Sequence, residues 1–578
     1  MRKSTTLLAA GAVAALASAM AGASGASAAD SSAADSSARA IPVQLLSFND
    51  YHGHLEATDR PLASDPAATP AGGVEYLSAK LTQLRAKVGD KNSLTVAAGD
   101  TIGGSTFLSG MFHDEPSVES LNTLGLDVTS VGNHEFDEGT AELLRMQNGG
   151  CHPVDGCYFP SEPYAGAKYP YLAANVVKKS DNKLLLPGTT IRYVGGVPIG
   201  FIGLTLKGTP SLVDPAGVAS VRFTDEIQTV NQQAGALNRK GVKAIVVLIH
   251  QGGQQDPTTS NYDGCVGFNG PIADMAPKFS ALVDVVVSGH THQPYVCTQS
   301  DPQGRPRLVT SAASYGQMVT ETYFTINSVS KDVNRSSFVS HNVIVDRANT
   351  PDPAETAVIG KWQSLAGPIA GKVVGTVAQD VTGDSSGNRG IETPMGDLIA
   401  DAILWGTQSG NTQLAFMNVG GVRASFLTNQ ISNSEQPGEI TYTEAYNVAP
   451  FGNLLVSLDM TGQQIKDTLE QQYVAGRPGG RDALGLGVSE GFSYTWDATQ
   501  PQGSRVVPGT MALNGVPMDM AATYRVGTIN FLANGGDSFT GFMAGTNLLG
   551  GKEDLANLVD FLGAHPGVTP PPDRVTGL

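Results

Sequence analysis

Cysteine is scarce, with 4 in 578 residues. That excludes a disulfide-built scaffold, and the spacing of Cys151, Cys157, Cys265 and Cys297 is not that of a thiolate metal site. Charge is sparse as well, at 15% of residues, and lopsided: 36 Lys and Arg against 53 Asp and Glu give a formal net charge of −17. Such a chain is no general coat for a nucleic-acid polymer and no binder of anionic membranes. Beyond the N-terminus no stretch is long and apolar enough to cross a bilayer, and no short-period repeat is present. Hydrophobic residues nevertheless reach 41%, so a core forms and wholesale disorder is excluded. The length suits two or more domains. The 69 Gly and 33 Pro point to many turns and loops.

The N-terminus reads as a secretory signal over residues 1–28. Arg2 and Lys3 give a basic start, Leu7 to Met20 is apolar, and Ala26-Ser27-Ala28 fits a small-x-small cleavage site. The alternative, a membrane anchor, is disfavoured because the apolar run is short and no stop-transfer flank follows. No cysteine lies near the cleavage site, against a lipoprotein. Leu186-Pro187-Gly188-Thr189 looks like a wall-sorting motif but is internal and lacks a hydrophobic tail, so it reads as a turn. The expectation is a secreted, extracellular protein without a lipid, wall or transmembrane anchor. An oxidising destination makes disulfides plausible. Three pairings are open; Cys151–Cys157 and Cys265–Cys297 are favoured because each pair shares a stretch of chain.

Residues 29–40, rich in Ala, Ser and Asp, read as a flexible leader. Five short apolar runs follow: Val43–Phe48, Leu94–Ala98, Val128–Val131, Ala244–Ile249 and Val283–Ser288. Their length and β-branched content predict buried strands. Gly73–Lys87 and Ile227–Lys240 carry helical patterns between them. The result is an α/β layered domain over 41–345. Pro351-Asp352-Pro353 opens a linker helix or hinge over 346–370. A second segment, 371–565, mixes helices (Asp397–Gly406, Gly462–Tyr473) with strands (Gln413–Asn418, Asn453–Leu458, Thr523–Thr528). The Pro-rich end, 566–578, reads as a flexible tail.

One short motif directly follows each of the five runs. They are Asn49-Asp50-Tyr51-His52-Gly53-His54, Gly99-Asp100, Gly132-Asn133-His134-Glu135, His250, and Gly289-His290-Thr291-His292. Six of the chain's 10 histidines lie in them. Any one is weak; five in order, each at the end of an apolar run, indicate a gathered site, because paired strands fix where loop residues point. Asp, His and Asn supply O and N ligands for Zn²⁺, Mn²⁺ or Fe, and a carboxylate such as Asp100 can bridge two cations. A dinuclear centre is expected.

The order Asp-x-His, Gly-Asp, Gly-Asn-His-Glu, His and Gly-His-x-His resembles the calcineurin-like metallophosphoesterases. The resemblance implies a four-layer β-sandwich flanked by helices. It implies Asp50, His52, Asp100 and His292 on one metal, and Asp100, Asn133, His250 and His290 on the other. Zinc comes first for the two divalent ions, with Mn, Co or Mg as alternatives. By the same resemblance His134 stands beside the scissile phosphate rather than on a metal, with Asp137 orienting its ring.

The second half carries Asn418-Val419-Gly420-Gly421-Val422-Arg423 after a predicted strand. Arg389 precedes Glu392-Thr393-Pro394-Met395-Gly396-Asp397. Phe451 and Phe531 sit in Gly-flanked loops, the latter followed by Gly535-Gly536-Asp537. Arginine offers a planar fork for phosphate, and two exposed rings can clamp a base. This set resembles the C-terminal domain of secreted 5′-nucleotidases, a family that includes UDP-sugar hydrolases, and the resemblance covers about 41–565. It implies a second α+β domain that rotates about the linker helix to deliver substrate. Phe451 and Phe531 would sandwich the base, Asp537 would bind ribose, Arg389 and Arg423 would hold phosphate, and Asn418 would lie near the nucleoside. Two departures stand out. Pro394 replaces an Asn common in relatives, at a first-turn position where Pro is acceptable. Only one arginine, Arg389, occupies a stretch where some relatives have two.

The implied activity is release of phosphate from AMP-like nucleoside 5′-monophosphates, with UDP-sugars and nucleoside di- and triphosphates as further substrates. Rivals are a 2′,3′-cyclic-nucleotide phosphodiesterase with 3′-nucleotidase activity and, from another class, a non-catalytic envelope nucleotide-binding protein. A monomer or weak homodimer is expected.

Overall fold

The computed structural model describes residues 38–57, 69–213, 217–256, 261–477 and 481–578. The signal reading of 1–28 lies outside the described residues, and nearly all of the leader does too. Ala40, placed in that leader, already opens the first strand, Ala40–Phe48. The stretch Ala40–Leu578 is one compact unit. Among the described residues no helix is long and apolar enough to cross a membrane.

All five apolar runs form strands. Ala40–Phe48, Ser93–Ala98 and Val128–Ser130 are neighbours in one six-stranded sheet; Ala244–His250 and Val285–Ser288 are neighbours in another. Within each group the strands run parallel, so their C-terminal ends share one edge. Strict alternation sets the layers. Val43 and Leu45 point into the sandwich with Val246 and Leu248, while Leu46 and Phe48 face the helices beyond the first sheet. Ile245, Val247 and Ile249 pack on the opposite side, against helix Glu226–Arg239. Helix Val74–Arg85 covers the first sheet through Leu77, Leu81 and Leu84. The outcome is four layers, helix–sheet–sheet–helix. Antiparallel strands extend the sheets: Met318–Asn327 beside Ala40–Phe48 with Val333–Ile344 outside it at the edge, and Thr189–Val194 at an edge beside Val197–Thr205.

The linker helix spans Pro353–Ala370, with Asp352 accepting the Ala354 N–H and Pro353 in the first turn. Trp362 anchors it, buried among Phe112, Tyr158 and Phe159, with its indole N–H donating to Glu119 at 2.8 Å. Beyond it a five-stranded sheet runs in the order Leu486–Val488, Leu414–Asn418, Thr523–Ile529, Leu454–Thr461, Thr546–Glu553. Thr393 caps the helix Pro394–Gly406 by accepting the Gly396 N–H, so Pro394 stands where its missing N–H costs nothing. The disulfides are Cys151–Cys157 and Cys265–Cys297, as favoured.

The C-terminus corrects the sequence reading. The expected flexible tail is docked. Val575–Thr576 pairs in parallel with Phe492–Thr495, and Val575 is buried. Arg574 forks onto both oxygens of Asp401 at 2.8 Å. The N–H groups of Arg574 and Val575 donate to Glu392. Pro-rich composition masked a strand whose partner lies far away in sequence.

Candidate active site

The five motifs meet at the shared edge. Donor atoms of Asp50, His52 and His292 lie within 4.8 Å of one another, and those of Asp100, His250 and His290 do likewise. His292 Nε2 is 3.2 Å from Asp50 Oδ1, and His250 Nε2 is 2.8 Å from Asp100 Oδ2. His52 Nε2 is 3.3 Å from His292 Nε2 and 3.7 Å from Asp100 Oδ2, so Asp100 lies between the clusters. His54 takes no part; its ring stacks on Tyr315 at 4.0 Å.

The backbone is bent to achieve this. Asp50 (φ 50°), His52 (48°), Asp100 (48°), His290 (73°) and His292 (58°) all occupy the left-handed region, which costs a non-glycine residue about 1–2 kcal/mol. Hydrogen bonds hold the bends. Asn49 Nδ2 donates to Asp50 Oδ2 and to the Ala313 carbonyl, both at 2.6 Å, and its Oδ1 accepts the Ala312 N–H. Buried Glu135 accepts the N–H groups of Asp100 (3.0 Å), Thr101 (2.7 Å) and Gly132, and the Thr101 hydroxyl (2.8 Å). A β-carbon on Gly132 would collide with Asp100 Oδ1. The outer ring nitrogens are also fixed: His52 Nδ1 on the Gly103 carbonyl (2.7 Å) and His250 Nδ1 on that of Ala98 (2.8 Å). That leaves the inner nitrogens for a ligand.

The donors fit divalent cations. His250 Nε2, His290 Nε2 and Asn133 Oδ1 are buried without a hydrogen bond of good geometry, a costly arrangement unless something binds them. Burial alone would raise Asp50 and Asp100, but neighbouring His292 and His250, and His250 and His134, respectively hold them well below the usual carboxylate range. Burial pushes His290 down, with His250 adding to it. Against burial, Asp100 and Asp50 push His250 up; the carboxylates call for positive charge at that point. Ionised Asp and O/N donors suit Zn²⁺ or Mn²⁺.

Beside the clusters, His134 Nδ1 bonds Asp137 Oδ2 at 2.8 Å, and Asp137 also accepts the Gly104 N–H at 3.0 Å. Burial would lower His134, but Asp137 and Asp100 outweigh it and raise it. His134, Asp137, Asn133 and His290 form one wall of a cleft of about 210 Å³, and Arg389, Asn418, Arg423, Phe451, Phe531 and Asp537 line its remainder. Phe451 lies parallel to the His134 ring at 5.8 Å, with the Arg423 guanidinium 5.6 Å from its centroid. Asn418 Nδ2 donates to Asp537 Oδ2 at 2.7 Å.

Comparison with known proteins matches residues 44–294 to the calcineurin-like phosphoesterases and residues 373–544 to the 5′-nucleotidase C-terminal domain. The chain belongs to the calcineurin-like phosphoesterases that carry a 5′-nucleotidase C-terminal domain. Endonuclease YhcR of Bacillus subtilis is 35% identical over 529 residues, which are 90% of this chain and 40% of that protein. Cell wall protein Lmo0130 of Listeria monocytogenes is 29% identical over 552 residues, 91% of this chain and 67% of that protein. The crystal structure of a 5′-nucleotidase precursor from Thermus thermophilus superposes with a TM-score of 0.74 at 26% identity, covering 93% of this chain and 99% of its own.

Within this 5′-nucleotidase-family fold, every expected site residue falls in the clusters or the cleft, and three further residues join them. Arg477 and Arg481 line the same cleft. Arg481 comes close to Arg389: burial, then Arg481 and Arg423, push Arg389 well below its usual range. Three guanidinium groups crowded this way favour an anion between them. The Arg477-Pro-Gly-Gly-Arg481 stretch was the available signal. The third is Glu135, visible in sequence only as the end of Gly-Asn-His-Glu.

Proposed function

We propose that the chain releases phosphate from nucleoside 5′-monophosphates, outside the cell if the N-terminal segment acts as a signal. One observation carries this: the Arg-, Phe- and Asp-lined cleft reaches His290 of the Asp100/His250/His290 cluster, with Asn133 and His134 beside it. When bound, two divalent cations, zinc first, would supply Lewis acidity toward the phosphoryl oxygens and the attacking water. Asp50, His52, Asp100 and His292 would hold one, and Asp100, Asn133, His250 and His290 the other. Arg389, Arg423 and Arg481 bind and neutralise the non-bridging oxygens. His134, kept charged and oriented by Asp137, donates to a phosphoryl oxygen as negative charge develops. Phe451 and Phe531 hold the base, and Asp537, fixed by Asn418, accepts from the ribose hydroxyls. Water displaces the ribose oxygen in line, so no side chain forms a bond to phosphorus.

A phosphate-release panel tests this: AMP, ADP, ATP, UDP-glucose, 2′,3′-cyclic AMP and bis-p-nitrophenyl phosphate. AMP should turn over many times per chain. Stoichiometric binding without turnover would mean a nucleotide-binding protein instead. The similarity to a relative named an endonuclease favours one second reading, hydrolysis of phosphodiester bonds in nucleic acid. Cleavage of single-stranded DNA with no phosphate from AMP would establish that reading and overturn the first.

A further inference from the structure

Two residues beside the first cluster have no place among its ligands. His54 ends the Asp50-Tyr51-His52-Gly53-His54 motif without joining the donors, and Tyr315 belongs to no motif. Tyr315 holds φ 60°, a left-handed backbone that a bulky residue adopts only when its surroundings impose it. Both residues are tied to the loop that carries the ligands. The Tyr315 N–H donates to the Asp50 carbonyl at 2.7 Å. His54 Nδ1 is 2.9 Å from the His52 carbonyl and 3.1 Å from that of Tyr51. Carbonyls only accept, so this nitrogen carries a proton and donates. The His54 and Tyr315 rings then stack at 4.0 Å and 26°. Tyr315 also meets two ligand rings, His292 edge-on at 5.2 Å and 81°, and His52 at 5.9 Å and 59°.

We infer that His54 and Tyr315 are positioning residues, a stacked brace that sets the first metal position, formed by Asp50, His52 and His292. The inference rests on the two-dication reading of the site. Asp50 and His52 bend at φ 50° and 48°, and the brace holds the backbone carbonyl of each. Without those two ties the segment between them is free to relax toward ordinary backbone, and its carboxylate and imidazole lose their common centre. The Tyr315 ring adds a wall to His292, an edge-to-face contact of the kind aromatic rings favour.

Only the first position needs such a wall. In the second cluster the His250 and Asp100 side chains are 0% and 2% exposed, and His290 is buried, so packing confines those donors on every side. The His292 side chain is 16% exposed, and its ring gains from a rigid neighbour. The brace therefore acts on one ion and not on both. Residues that orient metal ligands in this way are worth roughly 10- to 100-fold in metal affinity.

The test is zinc affinity, read without turnover. The full chain is stripped with chelator and titrated with Zn²⁺ against a chromophoric competitor of known affinity. Wild type should show two binding steps, and His292→Ala identifies the step that belongs to the first position. Tyr315→Leu and His54→Ala should each weaken that step roughly 10- to 100-fold and leave the other in place. Tyr315→Phe keeps the ring and should bind both ions as wild type does. Circular dichroism of the stripped proteins checks that each is folded, and His54→Ala, at a half-buried residue, carries the test should Tyr315→Leu not fold. Unchanged affinity in the folded Tyr315→Leu and His54→Ala chains overturns the inference, as does equal weakening of both steps. Wild type that binds fewer than two Zn²⁺ overturns the two-dication reading, and the brace with it.

Discussion

Glu135→Gln tests how the active-site loops are held. Each carboxylate oxygen accepts two hydrogen bonds: Oε1 from the Thr101 N–H and hydroxyl, Oε2 from the N–H groups of Asp100 and Gly132. Glutamine keeps the shape but offers one oxygen; its amide N–H₂ faces two donors and accepts from neither. Two buried N–H groups lose their acceptor, at about 1–3 kcal/mol each, so the loss should be about 2–6 kcal/mol. That is a large share of the about 5–15 kcal/mol that holds a typical protein folded. The assay is urea unfolding of the zinc-loaded chain, reading the midpoint at unchanged slope. Asp100 bridges the two clusters, so zinc retention in the active site should fall in parallel. A loss below about 1 kcal/mol with full zinc retention would refute the claim that Glu135 clamps these loops.

Phe531→Ala should lower kcat/KM for AMP roughly 5- to 150-fold, matching about 1–3 kcal/mol of base stacking, and spare p-nitrophenyl phosphate. Equal losses on both substrates reject the stacking role. Glu355, in the linker helix, is pushed up to about 8 by burial, with Asp352 and Glu119 adding to it. A raised folded-state value means its stability contribution is full below the unfolded value of 4.5 and is lost as pH climbs toward 8. Glu355→Gln should therefore flatten the decline in stability between pH 5 and 8 by up to about 3–4 kcal/mol; parallel melting profiles for variant and wild type contradict this. Arg574→Ala removes a half-buried two-pronged ion pair with Asp401 and should cost about 2–3 kcal/mol in urea unfolding. An effect near zero would mean the C-terminal segment detaches in solution.

The metal-type residues were legible because each follows an apolar run, and parallel strands bring run-ends together whatever the intervening sequence. Phe451, Phe531 and Asp537 were legible through glycine-rich loops and family likeness. What escaped depends on distant partners. Glu135 looks like an ordinary polar residue until the N–H groups of Asp100 and Thr101 fold over it. Arg481 lies more than ninety positions from Arg389, so only folding shows that it lines the same cleft. Val575 and Thr576 form too short an apolar segment to read as a strand without Tyr494 and Thr495 beside them.

The most direct test of the account is phosphate release from AMP by the chelator-stripped chain as Zn²⁺ is returned. Wild type should be inactive when stripped and recover as zinc is added, while Asp100→Asn, folded by circular dichroism, should recover nothing at any zinc concentration. Turnover of AMP by the stripped chain, or full recovery by Asp100→Asn, would contradict it.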